Sequence, residues 1–189
     1  MNADITIVSG LPRSGTSMLM KMLEAGGLEI LTDGLRTADE DNPRGYYEVE
    51  RVKSLERDSS WLAEARGKVL KVVAPLLRNL PPTFRYGVIF LERDLGEVLA
   101  SQRQMLVRRG RPTYDQSDDE MAATFRRHLA RVREWLGQQP NFEVLYVEHR
   151  LVLERPLEAA ERVKKFLGNA ADVEKMASVV DPSLHRQKR

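Results

Sequence analysis

Apolar and polar positions follow two rhythms along this chain. Ile5-Thr6-Ile7-Val8 is a short, nearly continuous apolar run, and Tyr86-Gly87-Val88-Ile89-Phe90-Leu91-Glu92 is another, rich in β-branched and aromatic residues. Both read as buried strands, near 5–9 and 86–92, and similar runs predict strands near 68–73 and 142–147. Between them apolar residues recur at helical spacing. Met18-Leu19-Met20-Lys21-Met22-Leu23-Glu24 predicts a helix near 16–26, and Val98, Leu99, Met105 and Leu106 predict one near 95–109. Asp94 caps that second helix, with Glu97 three residues on. A further helix starts after Ser117, with Glu120 as capping partner, and buries Met121, Phe125, Leu129, Val132 and Leu136. Shorter helical pieces are expected near 47–57 and 59–66, and helices near 156–167 and 171–179 close the chain. The stretch from Thr32 to Tyr46 shows neither rhythm and predicts a long irregular loop.

Strands separated by helices imply parallel pairing with helices on both faces. The expected fold is α/β: a three-layer α/β/α arrangement around a central parallel sheet, as one domain over residues 1–189. Ligands in such sheets bind beyond the carboxyl ends of the strands, where Ser9 and Arg93 both fall.

Composition narrows the function classes. Thirty Lys and Arg against 28 Asp and Glu leave a formal charge of +2, too balanced for a general nucleic-acid binder. The absence of cysteine excludes disulfides, thiolate metal sites and cysteine nucleophiles, and His128, His149 and His185 show no metal-ligand spacing. No apolar run approaches the length that spans a bilayer, and four residues before the first strand leave no room for a signal peptide.

The chemistry concentrates in Ser9-Gly10-Leu11-Pro12-Arg13-Ser14-Gly15-Thr16-Ser17, between the first strand and the first helix. Glycines let the main chain approach a ligand, successive N–H groups point inward, and the helix start adds its positive dipole, so the segment suits an anion. It departs from the nucleoside-triphosphate loop G-x-x-x-x-G-K-[ST], because Thr16 stands where the lysine belongs and the cation has moved forward to Arg13. That argues against an ordinary ATP- or GTP-using enzyme.

Pro12-Arg13-Ser14-Gly15-Thr16-Ser17 resembles the 5′-phosphosulfate loop of the sulfotransferases, which take a sulfuryl group from 3′-phosphoadenosine-5′-phosphosulfate (PAPS). Arg93 at a strand end and Ser101 eight residues later resemble the family's pair for the 3′-phosphate. An arginine suits that task because its planar fork meets phosphate oxygens at two points. The likeness continues in Asp41-Asn42-Pro43-Arg44-Gly45-Tyr46-Tyr47-Glu48, in Lys68-Val69-Leu70-Lys71-Val72-Val73-Ala74-Pro75, and in Val144-Leu145-Tyr146-Val147-Glu148.

The resemblance implies a fold like that of the P-loop nucleoside-triphosphate hydrolases, of sulfotransferase type, and in-line transfer from PAPS to a hydroxyl or amine of a small-molecule or other acceptor. No metal is implied, since arginine and the helix terminus supply the positive potential; no nucleic acid or membrane partner is expected, and the location expected is the cytoplasm. Pro12, Arg13, Ser14, Gly15, Thr16 and Ser17 would hold the 5′-phosphate end, with Arg13 at the leaving oxygen and Lys71, at the family's strand lysine, on the sulfuryl group. Two positions depart from the pattern: Val73 stands where cytosolic relatives keep a histidine base, and Val147 where a tyrosine contacts adenosine. A carboxylate is the natural substitute for the base, with Glu48 first and Asp33 second. Two alternatives stand beside the transferase: a non-catalytic binder of PAPS or adenosine 3′,5′-bisphosphate, and an ATP-dependent phosphoryl-transfer enzyme. The loop from Thr32, which carries Asp33, Gly34, Arg36, Asp39, Glu40, Asp41 and Arg44, is the candidate acceptor side.

Overall fold

The computed structural model describes residues 3–39, 42, 45–111, 116–168 and 171–181. Glu40, Asp41, Pro43, Arg44 and His185, named above, lie outside the described residues. Five strands form one sheet: β1 Ile5–Gly10, β2 Ile30–Leu31, β3 Val69–Lys71, β4 Tyr86–Glu92 and β5 Phe142–Glu148. Their order across the sheet is β2-β3-β1-β4-β5, and every pairing is parallel. The helices are α1 Thr16–Ala25, α2 Leu95–Arg108, α3 Asp118–Gly137, α4 His149–Glu154, α5 Pro156–Leu167 and α6 Val173–Ser178. The expected three-layer α/β arrangement is therefore the one observed.

Alternation along the central strands divides the core between the two sheet faces. Ile5 and Ile7 of β1, with Tyr86, Val88 and Phe90 of β4, pack toward Trp61, Leu62, Val132 and Leu136. Val8, Ile89 and Leu91 point the other way, onto Leu19 and Leu23 of α1, Ala160 and Val163 of α5, and Met176 of α6. Because β1 and β4 are covered on both faces, they read as continuous apolar runs rather than half-buried stripes. β1 sits at the centre. The chain leaves it on the β3 side and later returns beside it as β4, so the ends of β1 and β4 flank a topological switch point.

Boundaries expected from spacing mostly hold. Asp94 accepts from the Glu97 amide at 3.0 Å, and Ser117 and Glu120 form a reciprocal capping box. Met121, Val132 and Leu136 of α3 are buried, while Phe125 and Leu129 are half-buried. The pieces expected near 47–57 and 59–66 are 3₁₀ helices, Glu50–Ser54 and Ser60–Ala65. The reason is visible in the buried set Val49, Val52 and Leu55, whose three-residue interval matches three residues per turn rather than 3.6. β3 is shorter than expected: the chain turns into the 3₁₀ helix Ala74–Asn79, where Pro75 has no N–H for a ladder. β2 and α4 were not anticipated: two residues are too short to carry a period, and the six of α4 follow β5 without a break. Described residues of the 32–46 stretch carry no helix, and apart from an isolated Asp39–Asn42 bridge no strand. Among the described residues, no helix is long and apolar enough to cross a membrane.

Candidate functional site

The segment between β1 and α1 forms a tight loop at the carboxyl edge of the sheet. Arg13 has φ 70° and Gly15 has φ 94°, so left-handed residues alternate with ordinary ones. That alternation turns successive N–H groups into a concave nest, a shape suited to an anion. The amides of Gly15, Thr16 and Ser17 head α1, where no preceding carbonyl is in register to accept them. Gly10 and Gly15 are required by space as well as conformation. A Cβ on Gly10 would lie 2.5 Å from Ser14 Oγ and 2.7 Å from the Leu91 carbonyl, and one on Gly15 would lie 2.6 Å from His149 Cδ2. Ser14 behaves differently from its neighbours. Its N–H donates to the Leu11 carbonyl at 3.1 Å, and its hydroxyl is buried without a hydrogen-bond partner among the described residues. Ser14 holds the turn from beneath, whereas Pro12, Arg13, Gly15, Thr16 and Ser17 line an open cleft of about 440 Å³.

The β4–α2 junction meets this loop. Arg93 follows β4, and Ser101 lies on the buried side of α2. Arg13 Nε donates to Ser101 Oγ at 3.0 Å, and Arg93 Nη1 donates to the Arg13 carbonyl at 3.0 Å. Glu97, one turn into α2, accepts from Arg93 Nε at 2.9 Å. Arg93 is 10% exposed and Glu97 16%, so the pair is largely withdrawn from water and fixes the guanidinium where it lines the cleft. The loop and the strand-helix junction thus share one patch.

Lys71 occupies the middle of the cleft, at the end of β3. It is 7% exposed and donates to the Tyr46 carbonyl at 2.7 Å and to Ser17 Oγ at 3.2 Å. Glu48 Oε1 accepts from it at 3.4 Å and also takes Arg36 at 3.1 Å. Burial pulls the Lys71 ammonium below its ordinary pKa, the nearby Glu48 carboxylate opposes this, and Arg36 and Arg13 add to it. Glu48 lines the cleft between two cations. Asp33 does not enter it. Its carboxylate accepts from the Leu35 amide at 3.0 Å and the Glu50 amide at 2.5 Å, at the exposed start of the loop. Partial burial there opposes ionisation, but those two amides and the Arg51 charge outweigh it and hold the Asp33 carboxyl below its usual range. Val73, half-buried, lines the cleft without any proton-accepting group.

Four further residues shape the cleft. Asn42 Nδ2 donates to Ser17 Oγ at 2.9 Å and ties the 32–46 loop to the start of α1. Arg36 stacks over the Tyr46 ring, 3.3 Å from its centroid. Arg109, at the end of α2, reaches Asp39 at 3.2 Å and the Tyr46 hydroxyl at 3.3 Å, closing the loop against that helix. His149, buried at the start of α4, lies against Gly15 and borders the cleft. The only signal for His149 was its place after the Val147-Glu148 strand end.

No family model matches the chain, and no curated protein matches it in sequence. Solved structures do. Retinol dehydratase in complex with androsterone and the inactive cofactor PAP matches with a TM-score of 0.55 and 18% identity, over 94% of this chain and 63% of that one. A sulfotransferase from Alicyclobacillus acidocaldarius matches with a TM-score of 0.52 and 16% identity, over 89% of this chain and 83% of that one. The mouse sulfotransferase SULT7A1 complexed with PAP matches with a TM-score of 0.50 and 16% identity.

The chain has the sulfotransferase fold.

It covers 94% of its own length in the match to SULT7A1 and 62% of that protein's, so it spans less than two thirds of SULT7A1 and of retinol dehydratase. At these identities the likeness is one of architecture alone.

Proposed function

We propose that the chain is one PAPS-dependent sulfotransferase domain acting on a hydroxyl or amine. The observation that carries this reading is the 3.0 Å hydrogen bond from Arg13 to Ser101, residues 88 positions apart. It joins the two segments that resemble the family's 5′- and 3′-phosphate sites into one cation-lined patch beside a helix start. Such a patch fits a nucleotide with phosphate at both ends and offers no lysine in the triphosphate-loop position.

Sulfuryl transfer resembles phosphoryl transfer, where the protein mainly positions reactants and stabilises spreading charge. The amides of Gly15, Thr16 and Ser17, with the Thr16 hydroxyl, hold the 5′-phosphate. Arg13 meets charge that grows on the bridging oxygen as its bond to sulfur breaks. Lys71, within reach of Ser17, holds the transferring group, and Arg93 with Ser101 holds the 3′-phosphate. As the acceptor oxygen or nitrogen bonds to sulfur, its proton passes to Glu48, the cleft carboxylate nearest Lys71, and adenosine 3′,5′-bisphosphate leaves. Asp33, turned out of the cleft, is the weaker base candidate.

Calorimetric titration with PAPS, with adenosine 3′,5′-bisphosphate and with ATP plus magnesium tests the reading. Metal-independent binding of the bisphosphate and poor binding of ATP support it. Magnesium-dependent ATP binding with no response to the bisphosphate overturns it in favour of a phosphoryl-transfer enzyme.

A further inference from the structure

Beyond Lys71 the cleft has a second half that the donor groups do not reach, and its lining has a definite chemical character. Its floor is Val49 and Val52 beside the first 3₁₀ helix, Val73 and Leu76 after β3, and Met105 of α2. None of these side chains donates or accepts a hydrogen bond. The mouth is cationic. α2 turns Ser101, Gln104, Met105 and Arg108 toward the cleft at i, i+3, i+4 and i+7, so one helix face runs from the donor end to an arginine at the rim. Arg36, Lys53 and Arg109 complete that rim. Among the described residues the cleft lining carries two carboxylates, Asp181 and Glu48, and Glu48 is already shared by Lys71 and Arg36. Lys53 and Arg109 have carboxylate partners in Glu50 and Asp39, with side chains a third to two thirds exposed. Exposed pairs of that kind are weak and exchange partners at little cost.

An acceptor has to satisfy both parts. A polyhydroxylated sugar laid on the floor gives up its hydrogen bonds to water and gains none in return. A purely apolar alcohol suits the floor but makes no use of the rim cations. We propose that the acceptor is an amphipathic acid: an alcohol or phenol whose apolar body lies on the Val49–Val52–Leu76–Met105 floor, with a carboxylate, sulfate or phosphate facing Arg108 and Lys53 at the mouth. Its hydroxyl then points inward, to Glu48 and Lys71. This inference rests on the sulfotransferase reading, since it takes the half-cleft beside Ser17 as the acceptor's place.

Two calorimetric arms separate failure of the inference from failure of that reading. The first titrates the protein with adenosine 3′,5′-bisphosphate, and absence of binding there removes the sulfotransferase reading itself. The second titrates the bisphosphate-saturated protein at low salt with para-hydroxyphenylpropanoic acid and with its primary amide, which has the same shape and no charge. The acid is expected to bind about tenfold tighter, the scale of one charge-assisted contact. In the double variant Lys53→Gln, Arg108→Gln the acid loses that advantage while the amide keeps its affinity. Equal affinity of acid and amide in the wild-type protein overturns the proposal, as does failure of both to bind. An acid preference that persists in the double variant also overturns it, because the charge is then read elsewhere.

Discussion

The two halves of the cleft are built from different materials. The half proposed to hold the donor is mainly backbone: a nest over Leu11–Gly15, the first amides of α1, and two side chains, Arg93 and Ser101, held at fixed offsets from the end of β4. The half proposed for the acceptor draws on side chains of the 32–46 loop, two 3₁₀ helices and the far end of α2. Backbone donors cannot be replaced by substitution, and they match a ligand that does not vary. Side chains on irregular segments can be exchanged without disturbing the sheet, which suits the part of a site that meets a variable acceptor. Lys71 sits at the seam, donating to Ser17 on the donor side and held by Tyr46 and Glu48 on the other.

If this contrast is correct, damage to the donor half should be chemical and damage at the acceptor edge slight. The largest effect is expected for Arg13→Ala. It removes the cation at the leaving oxygen, where charge grows only in the transition state, and should cost about 3–4 kcal/mol in turnover while weakening PAPS binding less. Steady-state rates beside calorimetric affinities check this, and unchanged turnover would take Arg13 out of the chemistry.

Arg93→Ala comes next. A charge-assisted contact to phosphate is worth about 1.5–3 kcal/mol. The loss should appear in the affinity for adenosine 3′,5′-bisphosphate and hardly at all for adenosine 5′-phosphate. Equal losses for the two ligands would make Arg93 a brace for the Arg13 carbonyl rather than a phosphate reader.

The seam residue gives a smaller, pH-dependent effect. Burial holds the Lys71 pKa below its ordinary value, so its charge is lost as pH rises earlier than for an exposed lysine. Turnover should therefore fall on the alkaline side by about tenfold for each further pH unit, and Lys71→Arg should flatten that limb because arginine stays charged. A pH–rate profile of both proteins decides it, and an alkaline limb that survives in the variant assigns it to another group.

The smallest effect belongs to Asp33→Asn, outside the cleft. A carboxyl with a depressed folded pKa stabilises above its unfolded value of about 3.9, and that contribution fades as pH falls through the folded value. At this exposed position the change should stay within about 0.5 kcal/mol in denaturant melts at pH 7, and converge with wild type at strongly acid pH. A large loss of turnover instead would return Asp33 to contention as the base.

The sequence by itself determined whatever depends on neighbouring residues. Continuous apolar runs marked β1 and β4, the capping box at Ser117 marked the start of α3, and Gly10 and Gly15 marked the tight loop before α1, because the conformations that make these features are encoded within a few positions. The offset from Arg93 to Ser101 was legible for the same reason: a strand end followed by a helix fixes the spacing. The tertiary structure alone decided which charges share the cleft. Glu48 and Asp33 lie fifteen positions apart at opposite ends of one irregular stretch, and nothing in the intervening residues says that the first turns inward while the second caps exposed amides. Arg109 reaches Asp39 across 70 positions and Tyr46 across 63, and His149 reaches Gly15 from the end of the edge strand β5. Such meetings follow from the path of loops over the strand ends. That path is set by long-range packing on Lys71 and Ser17, and long-range packing leaves no period or spacing in the chain.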